Sequence, residues 1–242
     1  MHWSKRVLGR RPRVVALAIL AAASLMVGAA AQSAPNPAPP APAAPSARFV
    51  VIVDAAHGGD DPGGHIGNQP EKAITLALSV RLRSLLAARG IQVVTMRESD
   101  VTLAPDRRAE IANHAKAQAC LSLHASTSGF GIHLFTSSLA PASSTPMPAW
   151  KTAQAAWVTR SLALSGVLNS ALQQAGISVT LGRTSLLGVD SMTCPAVAVE
   201  IAPERGEGDT AATMPDDPDY QARVAQALAA ALVEWRSEGA RL

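Results

Sequence analysis

An apolar run that ends at a histidine set among glycines, Phe49-Val-Val-Ile-Val-Asp-Ala-Ala-His57-Gly-Gly, constrains this chain more than any other stretch. Residues Phe49 to Val53 are apolar and mostly β-branched, and Asp54 and a Gly/Pro cluster bound them, the pattern of an interior strand of an α/β sheet. Functional sites of such sheets lie just past the carboxyl ends of strands, so His57 is placed where chemistry is done. A single histidine there is as often structural as functional. Partners at other strand ends have to decide.

The pattern recurs. Ala119-Cys-Leu-Ser-Leu-His124 is a second strand that ends in histidine, followed by small polar residues up to Gly129. Pro195-Ala-Val-Ala-Val-Glu-Ile201 is a third, with Glu200 inside an otherwise apolar run, and burying a carboxylate costs several kcal/mol unless it is paired. Between the first two, Asn68 and Pro70 read as the cap and first turn of a helix. Ile74, Leu78, Leu82, Leu85 and Leu86 form its apolar stripe and Gly90 its stop. Glu71 then sits at the helix N-terminus, where a carboxylate alone signifies only dipole compensation. Further strands are expected at Ile91 to Met96, Gly131 to Thr136 and, at an edge, Ser185 to Val189. Further helices are expected at Asp106 to Lys116, Thr152 to Ala175 and Asp219 to Ser237. This alternation predicts a single three-layer α/β domain with an open, mostly parallel or mixed sheet flanked by helices.

Residues 1–31 have the features of a secretory signal: a basic start, an apolar stretch from Val14, and Ala29-Ala30-Ala31 as a cleavage site. A Pro/Ala-rich linker, 32–47, follows, and the folded domain is expected over 48–242. The formal charge of +3 misleads, because Lys5, Arg6, Arg10, Arg11 and Arg13 belong to the leader; 21 basic residues less these five leave 16 against 18 acidic ones. Nucleic-acid binding loses its electrostatic motive. The expected product is a secreted, periplasmic protein without a stable membrane span after signal cleavage. The two cysteines, Cys120 and Cys194, are as compatible with buried thiols as with a bridge, and no Cys-based zinc site is expected.

His57, Glu71, His124 and Glu200 share no local motif, so only topology can bring them together. Two imidazoles and a carboxylate are the three-ligand set of a catalytic zinc site, and a further carboxylate suits a general base that later protonates a leaving amine. The loop around His57, the Glu71-Lys72 helix start, the segment Arg108-Ala-Glu-Ile-Ala-Asn113 leading to Leu121-Ser-Leu-His124, and Pro195-Ala-Val-Ala-Val-Glu200 together resemble the zinc-dependent N-acetylmuramoyl-L-alanine amidases of the third amidase type. The resemblance implies an α/β catalytic domain that cuts the peptidoglycan amide between N-acetylmuramic acid and L-alanine, with Zn2+ held by His57, Glu71 and His124 and with Glu200 as the catalytic glutamate. Any activator protein is unknown. The connection from Thr136 to the next helix is too short for the inhibitory helix of some division-associated relatives, so an unblocked site is expected.

The chain departs from the family pattern at Asp54-Ala55-Ala56, where Asp-Pro-Gly is usual; at Ser126, where Asn or Asp is common; and at Ala202-Pro-Glu-Arg-Gly206. Two other readings stay open: a non-catalytic peptidoglycan-binding or activator protein of the same fold, and a zinc peptidase cutting another stem-peptide bond. Among other candidates, Asp54 is either a partner that orients His57 or a strand-end cap. Asp61-Pro62-Gly63 reads as a turn, and His65 as a loop residue near the metal or in solvent. His114 and His133 read as structural or exposed. Glu204 and Arg205 read as a substrate contact or a solvated loop, and Trp150 and Trp157 as packing residues rather than a sugar platform.

Overall fold

The computed structural model describes residues 48–141, 150–206 and 211–239. The expected leader and linker, and part of the connection after Thr136, lie outside the described residues. Strands β1 (Val50–Ala55), β4 (Gln92–Thr95), β5 (Ala119–Ala125), β6 (Ile132–Ser137), β7 (Val179–Thr184) and β8 (Ala196–Ile201) form one sheet in the order β4-β1-β5-β8-β6-β7. The first four strands of that order run parallel; β6 is antiparallel to β8, and β7 runs parallel to β6. The sheet is therefore mixed, as the alternating pattern allows. A two-stranded ribbon, β2 (His65–Ile66) and β3 (Gln69–Pro70), sits apart from it.

Side chains alternate across each strand, and the two faces have different fates. Val51, Val53, Leu121, Leu123, Val197, Val199, Ile132 and Leu134 are buried on one face under helices α1 (Glu71–Ala87), α3 (Val158–Gln174) and α4 (Pro218–Gly239). Each fully buried Leu or Ile there contributes roughly 1.5–3 kcal/mol. The other face is apolar only near the strand starts, where Ile52, Cys120 and Ala196 meet helix α2 (Pro105–Ala115) and the short turn Val189–Ser191. Towards the strand ends the same face carries Asp54, Ser122, His124 and Glu200. A sheet face that turns polar at its carboxyl rim leaves room for a site.

Several expected elements are displaced. The edge strand is Val179–Thr184, and Ser185 to Gly188 form a loop held by Asp190, whose Oδ2 accepts from the Leu186 N–H at 3.0 Å. The long helix is divided into a short turn over Trp150–Ala156, non-helical at Thr152, and α3. Pro70, not Asn68, is the N-cap of α1, and it makes no side-chain cap bond. Asn68 lies between β2 and β3. The glycine-rich loop caps the helix instead: Gly64 O accepts from Glu71 N at 2.8 Å and Pro62 O from Lys72 N at 3.1 Å. Those bonds satisfy donors that a helix start leaves free, and they tie α1 to the loop carrying His57.

Cys120 and Cys194 form a disulfide at the start of β5 and just before β8. The sequence left bridge and thiols equally open. The parallel register that sets Cys120 opposite Ala196 brings the two sulfurs together.

Candidate metal centre and active site

After β1 the chain leaves the sheet with His57 at φ 62, then Gly58 and Gly59 also at positive φ. A non-glycine residue in that region is strained and persists only where its surroundings over-determine it. Two buried arginines do so. Arg108 pairs with Asp54 and donates to Ala55 O at 3.0 Å and His57 O at 2.6 Å. Arg97 donates to Ala55 O at 2.9 Å, Ala56 O at 3.0 Å and Lys72 O at 2.7 Å. In this loop, which lacks the usual Pro-Gly, the positive φ values fall at His57 to Gly59, and guanidinium groups bond its carbonyls.

Glu71 lies at the centre. Its Oε1 accepts from Ala125 N at 3.1 Å and lies 3.0 Å from His124 Nδ1; its Oε2 accepts from Gly64 N at 2.9 Å and lies 3.1 Å from His57 Nε2. Burial alone raises the Glu71 carboxyl; the hydrogen bonds from His124, His57, Gly64 and Ala125 outweigh it and hold the group far below the usual carboxylate range. The Glu71 hydrogen bond raises the His57 pKa against burial, and Asp61 adds to it. The two imidazoles stand edge to face, with centroids 5.4 Å apart.

One donor atom from each of His57, Glu71 and His124 lies within 4.8 Å of the others. Each imidazole approaches a different oxygen of Glu71, His124 at 3.0 Å and His57 at 3.1 Å, so the carboxylate lies between the two rings, near the roughly 3.4 Å spacing of two donors on one tetrahedral zinc with bonds of ~2.1 Å. Two neutral imidazoles and a carboxylate kept ionised are a set a divalent ion accepts, and three protein donors leave one position open. The residues fit the group.

Glu200 sits on the neighbouring strand. The ladder sets it opposite His124 of β5 and opposite His133 of β6, so the three side chains stand in one row on one face. His133 Nδ1 is 2.8 Å from Glu200 Oε1. His133, read from the sequence as structural or exposed, is thus a partner of the key glutamate. Asp54 is not the partner of His57, because Arg108 and the Ser122 hydroxyl occupy it. Asp61 takes that place, its Oδ2 2.7 Å from His57 Nδ1. A metal-bound imidazole usually has such a partner on its second nitrogen. The signal for Asp61 was its position i+4 across a tight turn; for His133 it was the alternation with the core residues Ile132 and Leu134.

The remaining candidates fall elsewhere. His65 is exposed in β2, and His114 bonds Glu110 O at 2.8 Å on its own helix. Glu204 pairs with Arg223, and Arg205 stacks 4.0 Å over Phe130. Trp157 lines a cavity of about 340 Å³ with Asn113, Gln118, Thr193 and Pro195, at the strand starts and away from His57. The Trp150 side chain is outside the described residues.

A mixed α/β sheet whose carboxyl rim gathers two histidines and a helix-start glutamate, with a further carboxylate on the next strand, defines a class: α/β proteins with a three-donor group at the sheet rim that could hold a metal ion. A model of the family described as N-acetylmuramoyl-L-alanine amidase matches residues 51–234, and the chain belongs to that family. Among curated proteins it is similar to an N-acetylmuramoyl-L-alanine amidase of Mycobacterium tuberculosis, 29% identical over 199 residues, covering 68% of this chain and 78% of that one. It is also similar to the germination-specific N-acetylmuramoyl-L-alanine amidase of Bacillus subtilis, 33% identical over an alignment of 89 residues that covers 31% of this chain and 38% of that one. The matched stretch thus spans about a third of that relative and of the sporulation-specific amidase of the same organism, 38% and 32% of their lengths. The fold is that of the amidase Ami1 from Mycobacterium smegmatis, with a TM-score of 0.61 at 20% identity over 78% of this chain and 97% of that one. It is also that of the CwlV catalytic domain from Paenibacillus polymyxa, with a TM-score of 0.60 at 24% identity over 78% and 98%.

Proposed function

We propose that this protein hydrolyses the amide between N-acetylmuramic acid and L-alanine of peptidoglycan, that the ion held by His57, Glu71 and His124 is zinc, and that the work is done outside the cytoplasm, in the periplasm. The observation that carries the reading is the convergence of those three donors within 4.8 Å, with Glu200 directly opposite His124 in the ladder. Family membership supplies the substrate class. Zinc, when bound, supplies a Lewis acid and a water of lowered pKa. The rest falls to the chain. Glu71, ionised over the whole working range, contributes charge as well as a donor atom. Glu200 is free to take a proton from the attacking water and return it to the leaving amine, which cannot depart as an anion. No helix among the described residues is long and apolar enough to cross a membrane.

The test is elemental analysis of the purified protein together with mass spectrometry of what it releases from sacculi. Intact stem peptides beginning with L-alanine support the reading. Fragments cut within the peptide would turn it into a zinc peptidase, and binding without release into a wall-binding protein. Glu200→Ala is expected to keep its zinc and lose turnover by ~10²–10⁴-fold; wild-type hydrolysis by that variant removes Glu200 from its role.

A further inference from the structure

We propose that His133 is a positioning residue for Glu200: its Nδ1–H fixes one carboxylate oxygen so that the other faces the reacting water. The role rests on the amidase reading given above. The ladder alone brings the two residues together, since His133 and Glu200 are partners in the antiparallel pair of β6 and β8. A carboxylate only accepts, so the 2.8 Å contact assigns the proton to His133 Nδ1. The bond removes rotational freedom that a glutamate, with three side-chain torsions, would otherwise keep. A general base has to be held within hydrogen-bond reach of the proton it takes, and a displacement of about 1 Å is enough to cost ~10²-fold.

The ring is itself fixed by its surroundings. Gly129, at φ +77, lies against it, and a Cβ there would stand 2.5 Å from His133 Cε1 and 2.6 Å from Nε2. Phe135, two residues along β6 on the same face, meets the ring edge on at 6.2 Å between centroids. The His133 side chain is 14% exposed and that of Glu200 28%, so the imidazole is the more enclosed partner and the carboxylate the one turned towards the rim. Among the described residues no other donor bonds Glu200, in contrast to the four groups that hold Glu71.

The test uses the zinc-loaded full chain and a soluble muropeptide. His133→Leu fills the space without a donor, and His133→Asn restores an N–H where Nδ1 stood. His133→Leu is expected to lower kcat by ~10–100-fold, with KM and zinc content unchanged. His133→Asn is expected to recover most of the loss. A His133→Leu variant with wild-type kcat, or equal defects in both variants, overturns the role. Loss of zinc from His133→Leu also overturns it, because the residue would then belong to the metal centre. In 15N-histidine spectra the His133 Nδ1–H resonance is expected to move in Glu200→Ala, and an unmoved resonance counts against the bond whether or not the protein turns over. If the wild-type protein binds zinc but releases nothing, the amidase reading falls and takes this role with it, whereas an active wild type with an unimpaired His133→Leu removes this role alone.

Discussion

The loop that carries His57 and the strand that carries Glu200 reach the same rim by opposite means. Glu200 never leaves the sheet: its place follows from the ladder, with His124 opposite it on one side and His133 on the other. His57 lies two residues past β1, at a strained φ, and two buried guanidinium groups hold the carbonyls of its loop. Position within a sheet follows from backbone hydrogen bonds that the strand makes in any case. Position outside it has to be supplied by side chains, and here those side chains are buried charges that must all be satisfied at once. The half of the site around His57, the candidate metal centre, is therefore expected to be the fragile half, and the half around Glu200 the robust one.

The sharpest way to break that contrast is Arg108→Met. It leaves Asp54, 3% exposed, with the Ser122 hydroxyl as its hydrogen-bond donor and no ion pair, only the more distant charge of Arg97. Stranding a buried charge costs about 3–5 kcal/mol, a large part of the ~5–15 kcal/mol that keeps a domain folded. Urea denaturation is expected to show that loss, and metal titration a weaker site, because the His57 carbonyl loses its 2.6 Å bond. Asp54→Asn combined with Arg108→Met is expected to recover part of the stability but not the metal affinity. An Arg108→Met protein with wild-type stability would mean that the loop holds its shape unaided.

The same contrast explains what could be read from the chain. The three strands were legible because apolar runs with abrupt stops leave few alternatives; His57 and His124 drew attention because they follow such runs, and Glu200 because it is a carboxylate inside one. Glu71 was not singled out by its place at a helix start, which alone signifies dipole compensation; it entered through the resemblance, and the fold sets it beside His57 and His124. His133 was not, because alternation assigns it to a face without saying which strand lies alongside, and β6 turns out to be the one antiparallel to β8. The bracing of the His57 loop was equally hidden. Nothing local distinguishes Arg97 and Arg108 from solvated arginines, and their low exposure, 3% and 8%, follows from tertiary packing alone. Asp54 and Asp61 both lie close to His57 in sequence, and the choice between them is made by Arg108, which reaches Asp54 from α2.

The disulfide sharpens the comparison from the other end of the sheet. Cys120 and Cys194 are 74 residues apart and join the beginnings of β5 and β8, the two strands whose far ends present His124 and Glu200. Closing a loop of that size stabilises by roughly 2–4 kcal/mol. Cys120→Ala with Cys194→Ala is expected to lower the unfolding free energy by about that much and to leave kcat and zinc content of the folded protein unchanged, because the ladder between the strands is intact. A fall in kcat at temperatures where the variant is fully folded would show that the row of Glu200 depends on this pin, and the robust half of the site would be robust only through it.

The smallest expected effect separates the two halves by pH. Asp61 is exposed and touches the ligand set only through His57, so Asp61→Asn is expected to leave the fold intact and to weaken the metal by ~10–100-fold, the usual cost of removing the partner of a metal-bound imidazole. In the metal-free protein the Glu71 and Asp61 carboxylates raise the His57 pKa above its ordinary 6.5. Protonated His57 therefore adds stability that is complete below about pH 6.5 and disappears as the pH rises through the raised value. Metal binding needs the neutral ring, so affinity changes in the opposite sense and strengthens over the same interval. Asp61→Asn removes one of the raising groups and moves both transitions to lower pH. Calorimetric zinc titrations from pH 5.5 to 8, beside thermal melts of the metal-free protein, read the two slopes directly. Slopes of equal sign, or midpoints that Asp61→Asn leaves in place, would show that the hydrogen bond to Asp61 does not govern His57 and that the loop geometry alone determines the first ligand.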